Sequence, residues 1–245
     1  MNRQATVAGN ETLSATCPLC GGTEFGDYRK RKAVRCTQCG SFERGRFLGL
    51  VLQRLAPEPN GAPVVHFAPE PGTSAFLHKV YGESYVPADV DPSAYPWMEL
   101  PMRQIDLRQP ADYLQHESVQ GLVHSHILEH IPADLTTSLL AMNDAIMPGG
   151  FHIFVVPFFS PHYREDMSPE MSHEQRDELF GQFDHVRSFG TEDFYDRIEL
   201  AFRGFDRVDL TEHITPDDLK AASVPIRALT SLTAHTVFFF QKRAP

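Results

Sequence analysis

Nowhere in the 245 residues does an apolar run approach the roughly 18 consecutive positions that a membrane-crossing helix requires. Cysteine is scarce as well: four residues, all before position 40, so no disulfide framework spans the chain. There is a single tryptophan, no internal repeat and no low-complexity tract. No G-x-G-x-x-G follows the first predicted strand, which argues against a nicotinamide-dinucleotide oxidoreductase. The opening residues MNRQATVAGNETLSAT are polar, without the apolar stretch of a secretory leader. The expectation is a floppy tail over residues 1–13 and a cytoplasmic protein.

What is present suits one full α/β domain with a small attachment: 245 residues, 42% of them hydrophobic. The net charge of -10 opposes broad affinity for nucleic acid, whose non-specific binding rests on neutralising phosphates. The charge is uneven. Segment 28–46 holds Arg29, Lys30, Arg31, Lys32, Arg35, Arg44 and Arg46 against Glu43 alone, so it carries +6 and the remainder -16. A basic knob sits on an acidic body.

The cysteines form two C-x-x-C knuckles, Cys17/Cys20 and Cys36/Cys39, with fifteen residues between them. Two such knuckles read as a four-thiolate zinc site over residues 14–46, with iron in a rubredoxin-like set as the rival. Paired disulfides fit a reducing compartment poorly, and a redox dithiol leaves the second pair unexplained. Four protein ligands leave no open position, so the zinc would be structural and would supply folding energy to a ribbon too short to fold alone. The surrounding basic residues either contact phosphate or form a solvated hairpin.

Residues 47–55 read as a short amphipathic helix inside a linker, 47–62, that the prolines at 57, 59 and 63 bring to an end. From 63 to 245, apolar runs alternate with helical patterns. Strands are expected at 64–67, 84–88, 103–105, 121–125, 151–156, 205–210 and 235–241, and helices at 74–81, 133–146 and 191–202. That alternation predicts a Rossmann-like, mostly parallel seven-stranded sheet covered on both faces. The last two strands lack a long crossover helix and are expected as an antiparallel edge pair.

Ligands of such sheets bind beyond the carboxyl ends of the strands. The first predicted strand runs into His66-Phe67-Ala68-Pro69-Glu70 and the second into Asp89-Val90, an acid suited to gripping a ribose diol. The third ends at Asp106-Leu107, suited to an adenine amino group, and the fourth at Ser125-His126. Leu128-Glu129-His130-Ile131 follows, then a helix running to Met147-Pro148-Gly149-Gly150, read as a stop before the fifth strand.

With these motifs in order, the chain resembles class I S-adenosylmethionine-dependent methyltransferases of the broad type 11 group, from residue 63 to the C-terminus. It is similar to a bacterial subgroup that joins a zinc ribbon, C-x-x-C-G-S-x-E-R (here residues 36–44), to an H-F-A-P-E first loop (66–70) and F-G-Q-x-D-H-V-R-x-G (180–190). The resemblance implies S-adenosylmethionine as cofactor, held by Phe67, Ala68, Pro69, Glu70, Asp89, Val90, Asp106, Leu107, Ser125 and His126. The first loop departs from the usual D-x-G-x-G-x-G. Prolines that delete N–H donors stand where glycines allow close approach, so Glu70 is expected to take the cofactor's α-ammonium.

His126-x-x-Glu129-His130 also matches H-x-x-E-H, a zinc-hydrolase pattern when it lies on one long helix. Here a strand runs to Ser125 and Pro132 follows closely, so the hydrolase is set aside and the metal match is read as coincidence. The long segment 157–190 is expected to cover the strand ends as a substrate wall, with Tyr163 and Arg187 against the acceptor. His185 beside Asp184 is the first candidate general base and His126 the second, against the plain reading that the Asp-His-Arg cluster stitches a loop down. The expected function is methyl transfer to an O or N atom of a small acceptor of sugar or natural-product type. The alternatives are an RNA methyltransferase docking through its basic ribbon, and a non-enzymatic cofactor-binding scaffold. The sequence leaves the oligomeric state open.

Overall fold

The computed structural model describes residues 15–244; the tail expected over residues 1–13 lies outside the described residues. Two strands, β1 (Phe25–Tyr28) and β2 (Arg31–Cys36), form an antiparallel hairpin that presents the second cysteine knuckle. Then follow α1 (Glu43–Leu55), β3 (Val64–Phe67), α2 (Pro71–Tyr81), β4 (Tyr85–Asp89), β5 (Arg103–Gln104), β6 (Val119–Ser125), α3 (Leu135–Asp144) and β7 (Ile146–Val155). The segment expected as a substrate wall holds β8 (Phe158–Ser160), β9 (Arg164–Glu165), α4 (His173–Phe180) and β10 (Arg187–Gly190). The chain closes with α5 (Phe194–Ile198), β11 (Phe205–Arg207), α6 (Pro216–Ala221), α7 (Arg227–Thr230) and β12 (Val237–Lys242).

Seven strands make the central sheet in the order β11-β12-β7-β6-β3-β4-β5. All pairings from β7 to β5 are parallel, whereas β12 runs antiparallel to both β7 and β11. The last strand is therefore inserted between β7 and β11, and the expected antiparallel pair stands at one edge of the sheet with β11 outermost. Burial explains the insertion. Val237 to Phe240 are all buried, and a strand with two apolar faces has to be covered on both.

Successive strand residues point to opposite faces, and the core divides accordingly. Val65, Leu122, Phe154, Phe238 and Phe240 pack with Leu139 and Met142 of α3 on one side. Val64, Val123, Phe151, Ile153 and Phe239 pack with Phe47, Leu48 and Val51 of α1 and Leu77 of α2 on the other. The helix read as part of a linker is thus a covering layer of the sheet, and it begins four residues earlier than its apolar pattern, at Glu43.

Three further expectations shift. The Pro-Gly-Gly run is not a stop between helix and strand, because β7 already begins at Ile146 and carries a bulge where its register against β6 changes. A Cβ at Gly150 would stand 2.5 Å from the Gln120 carbonyl, so only glycine lets the two backbones pass. The strand expected over 205–210 stops at Arg207 and turns into a 3-10 turn at Leu210. The helix expected over 191–202 shrinks to Phe194–Ile198.

Candidate functional site

The four cysteines lie together, with all four sulfurs within 4.8 Å of one another. Cys17 Sγ is 3.7 Å from Cys39 Sγ, and Cys20 Sγ is 3.6 Å from Cys36 Sγ. Tetrahedral zinc with Zn–S bonds of about 2.3 Å requires sulfurs about 3.8 Å apart, whereas a disulfide needs about 2 Å. The donor set fits a metal and does not fit disulfides. The knuckles also touch the first loop of the sheet: a Cβ on Gly72, in the first turn of α2, would stand 3.0 Å from Cys39 Sγ.

Arg46 ties this module down. Its side chain is fully buried, and its guanidinium donates to the carbonyls of Val34, Ser41, Ala222 and Ser223 at 2.7–2.9 Å while covering the Phe25 ring. The same helix sends Arg44 to Glu70 (2.6 Å) and to Ser125 Oγ (3.2 Å). Two cations of the basic knob therefore face inward, and a third, Arg31, pairs with Glu43. No signal in the sequence separates these from the exposed Arg29, Lys30 and Lys32.

A cavity of about 460 Å³ opens at the carboxyl ends of β3, β4, β5 and β6, beside the point where the strand order reverses. Seven of the ten expected cofactor residues line it: Phe67, Ala68, Asp89, Val90, Asp106, Leu107 and His126. Ile105, Arg108, Ile127, His130, Ile131 and Pro132 complete it, and these were not foreseen. The chain bends into the cavity at Ala68 and His126, whose φ angles of 45° and 56° are uncommon for residues with a side chain and mark strain held by the sheet. Asp89 accepts from Tyr95 Oη (2.7 Å) and from the Asp91 amide (2.9 Å), which aim its carboxylate. Asp106 is gripped by the Arg108 guanidinium, which holds its carboxyl below the usual carboxylate range.

Pro69, Glu70 and Ser125 do not line this cavity. Glu70 stands at the residue before α2 without capping it and turns its side chain toward Arg44, because Pro71 at the first helical position directs the loop under the cysteine module. Ser125 meets the same arginine.

A second chamber, of about 540 Å³, shares His126 and His130 with the first. Ser125, Glu129, Phe158, Phe159, Phe180, His185 and Arg44 are among its walls. It is roofed by 157–190, whose strands form a small sheet in the order β8-β10-β9. The Val186 amide donates to the Glu129 carbonyl at 2.9 Å and fastens that roof to the turn after β6.

Several expected roles change. Arg187 is fully buried, donating to the carbonyls of Leu128 and Ala133 and to Glu165, so it braces the roof and faces neither chamber. Tyr163 lines neither chamber; its hydroxyl donates to Glu165 and Arg197 covers its ring. Asp184 is not the partner of His185. It faces His130 Nδ1 at 3.3 Å, while His185 Nδ1 donates to the Phe180 carbonyl at 3.0 Å. His126 donates through Nε2 to the Ala234 carbonyl, and burial pushes its pKa down to about 3. A base weakened this far is a poor proton acceptor near neutral pH. Glu129, met in the sequence through the hydrolase pattern that was set aside, is fully buried on a 3-10 turn with no hydrogen-bond partner for either carboxylate oxygen, and burial pushes its pKa up to about 8.

No protein-family model and no curated protein matches the chain. Solved structures do match it in fold. One is an S-adenosylmethionine-dependent methyltransferase from Archaeoglobus fulgidus, at 16% identity over 83% of this chain and 95% of that one, with a TM-score of 0.50. A second is 1,6-didemethyltoxoflavin-N1-methyltransferase from Burkholderia thailandensis, solved with 1,6-didemethyltoxoflavin and S-adenosylhomocysteine, at 16% identity over 82% and 76% of the chains and 0.50. A third is geranyl diphosphate C-methyltransferase from Streptomyces coelicolor A3(2), solved with Mg2+, geranyl-S-thiolodiphosphate and S-adenosylhomocysteine, at 10% identity over 80% and 75% and 0.51. Likeness at these identities concerns architecture: the chain has the Rossmann-like methyltransferase fold.

Proposed function

We propose that the protein is an S-adenosylmethionine-dependent methyltransferase acting on an O or N atom of a small-molecule acceptor, with zinc in its four-cysteine module. The observation that carries this reading is the pair of adjoining chambers. One has an apolar floor and a carboxylate at each of two strand tips, and the other meets it at His126 and His130 and lies under the segment 157–190. Asp89 would hold the ribose diol, while Phe67, Ile105 and Leu107 would pack the adenine, with Asp106 beside its amino group. The methionine end would reach toward Arg44 and Glu70. That ion pair matches a zwitterion, with Glu70 receiving the ammonium and Arg44 the carboxylate.

Zinc would be held by Cys17, Cys20, Cys36 and Cys39. When bound, it would lock the β1–β2 hairpin against the first loop, through Cys39 packed on Gly72 and Arg44 laid over Glu70. S-adenosylmethionine supplies an electrophilic methyl group. The chain aligns the acceptor in line with it and keeps water out. Phe158, Phe159 and Phe180 provide apolar walls, and activation of the acceptor falls to the corner formed by Glu129, His130 and His185. The modest size of the second chamber and the inward-facing Arg44 and Arg46 favour a compact acceptor over RNA.

Calorimetry with S-adenosylhomocysteine tests the reading. Micromolar binding that weakens about tenfold or more in Asp89→Ala supports it, on the scale of one lost charge-assisted hydrogen bond pair. An absence of binding and of any thermal shift with this nucleoside overturns it.

A further inference from the structure

We propose that Glu129, His130 and His185 form a second metal site, separate from the four cysteines, that takes a divalent transition-metal ion with its open positions toward the second chamber. One ligand atom from each of the three residues lies within 4.8 Å of the others. Ligands about 2.1 Å from an ion stand about 3.4 Å apart in tetrahedral geometry, so small side-chain adjustments at the corner bring the three to one ion.

Three independent observations point to a cation. Glu129 is fully buried with both carboxylate oxygens unpartnered, a state that native proteins avoid unless a proton, water or ion satisfies the group. The neighbouring side chains do not satisfy it: Arg44 is spent on Glu70 and Ser125, Arg187 on carbonyls and Glu165, and His126, which donates to the Ala234 carbonyl, stands with Nδ1 3.7 Å from Glu129 Oε1, beyond hydrogen-bond reach. Each histidine is also oriented as a ligand. His185 donates its Nδ1–H to the Phe180 carbonyl, which leaves the lone pair on Nε2. His130 turns Nδ1 toward Asp184 at 3.3 Å, which likewise leaves Nε2 free. A backbone carbonyl behind one imidazole and a carboxylate behind the other are the outer partners that metal-bound histidines use. Finally, the rings meet edge to face with centroids 4.6 Å apart, which brings the two imidazoles to a single corner.

Two imidazoles and one carboxylate suit Zn2+, Fe2+, Co2+ or Mn2+, and three protein ligands leave positions open for a substrate oxygen. Those positions would face the 540 Å³ chamber, beside the shared wall at His126 and His130. The class of acceptor favoured is one with a hydroxyl, phenol or enolisable carbonyl. This last assignment rests on the methyl-transfer reading; binding of the ion does not. Part of the H-x-x-E-H pattern thus acts through a different geometry. The 3-10 turn places Glu129 and His130 at the corner, and the third ligand comes from the roof, 55 residues further along.

The test uses the full-length protein with one zinc per chain in its cysteine module, without cofactor, titrated with Co2+. One further equivalent should bind, with d–d bands, no sulfur charge-transfer band, and an X-ray absorption spectrum showing two imidazoles. Glu129→Gln, His130→Gln and His185→Gln should each weaken binding about a hundredfold, and Asp184→Asn about tenfold. Each variant should keep its zinc and its melting transition. No binding up to millimolar Co2+, sulfur ligation, or a spectrum without histidine overturns the site, and the spectra of the wild type decide even if a variant fails to fold. A thermal shift with S-adenosylhomocysteine, measured on the same samples, reports separately on the methyltransferase reading.

Discussion

His66 offers a quantitative test of how the sheet stores an uncharged histidine. It sits in the middle of β3, 1% exposed, with Nδ1 3.1 Å from Tyr85 Oη, and burial lowers its pKa to about 3. An unfolded chain returns it to about 6.5. A depressed folded pKa leaves the unfolded state holding more protons, so this contribution is complete above pH 6.5 and is lost as pH falls toward 3. Each unit costs about 1.4 kcal/mol, which makes the loss about 2 kcal/mol at pH 5. His66→Phe removes the titration. It orphans nothing, because Tyr85 Oη still donates to Ser74 Oγ at 2.9 Å. Any packing penalty of the larger ring is the same at both pH values and cancels. Urea denaturation followed by far-ultraviolet circular dichroism, at pH 7.5 and 5.0 and constant ionic strength, should show the wild type losing about 2 kcal/mol more than the variant. Changes that agree within about 0.5 kcal/mol would refute the account, since a histidine that titrates normally in the fold carries no such linkage.

Other expectations follow from the same structure. Arg46→Met should cost about 3 kcal/mol or more in urea denaturation, because carbonyls of the hairpin and of the segment after α6 lose a buried, charged donor. Cys36→Ser should lower zinc content below one per chain and expose the β1–β2 hairpin to proteolysis, while the sheet keeps its circular dichroism. Glu70→Gln should weaken S-adenosylhomocysteine about tenfold by calorimetry, through loss of the carboxylate facing the ammonium; unchanged affinity would remove Glu70 from the cofactor site.

Of the strands that hold the cavity, β4 and β6 were legible as short apolar runs ending in a polar residue, Asp89 and Ser125, whereas β5 is only the polar pair Arg103–Gln104 and Asp106 was placed by its position after it. Arg187 misled for a physical reason. An arginine beside Asp184 and His185 reads as a surface ligand for substrate, yet its three acceptors come from residues 128, 133 and 165, which no local spacing brings near. The ion pair of Glu70 with Arg44 was hidden for a related reason, since that arginine lies on a helix before the sheet begins. The same long-range packing joins the glutamate of a 3-10 turn to a histidine of the roof.

Two classes of information can be told apart in this protein. The alternation of apolar segments, the cysteine knuckles and the acids at strand tips depend on neighbours in the chain, and the order of residues was enough to determine them. The burial of Arg46, the turn of Glu70 toward Arg44 and the meeting of Glu129, His130 and His185 depend on which surfaces the completed sheet brings into contact. Burial strips water from these groups and forces each to find a partner, and only the folded chain decides which partner is within reach.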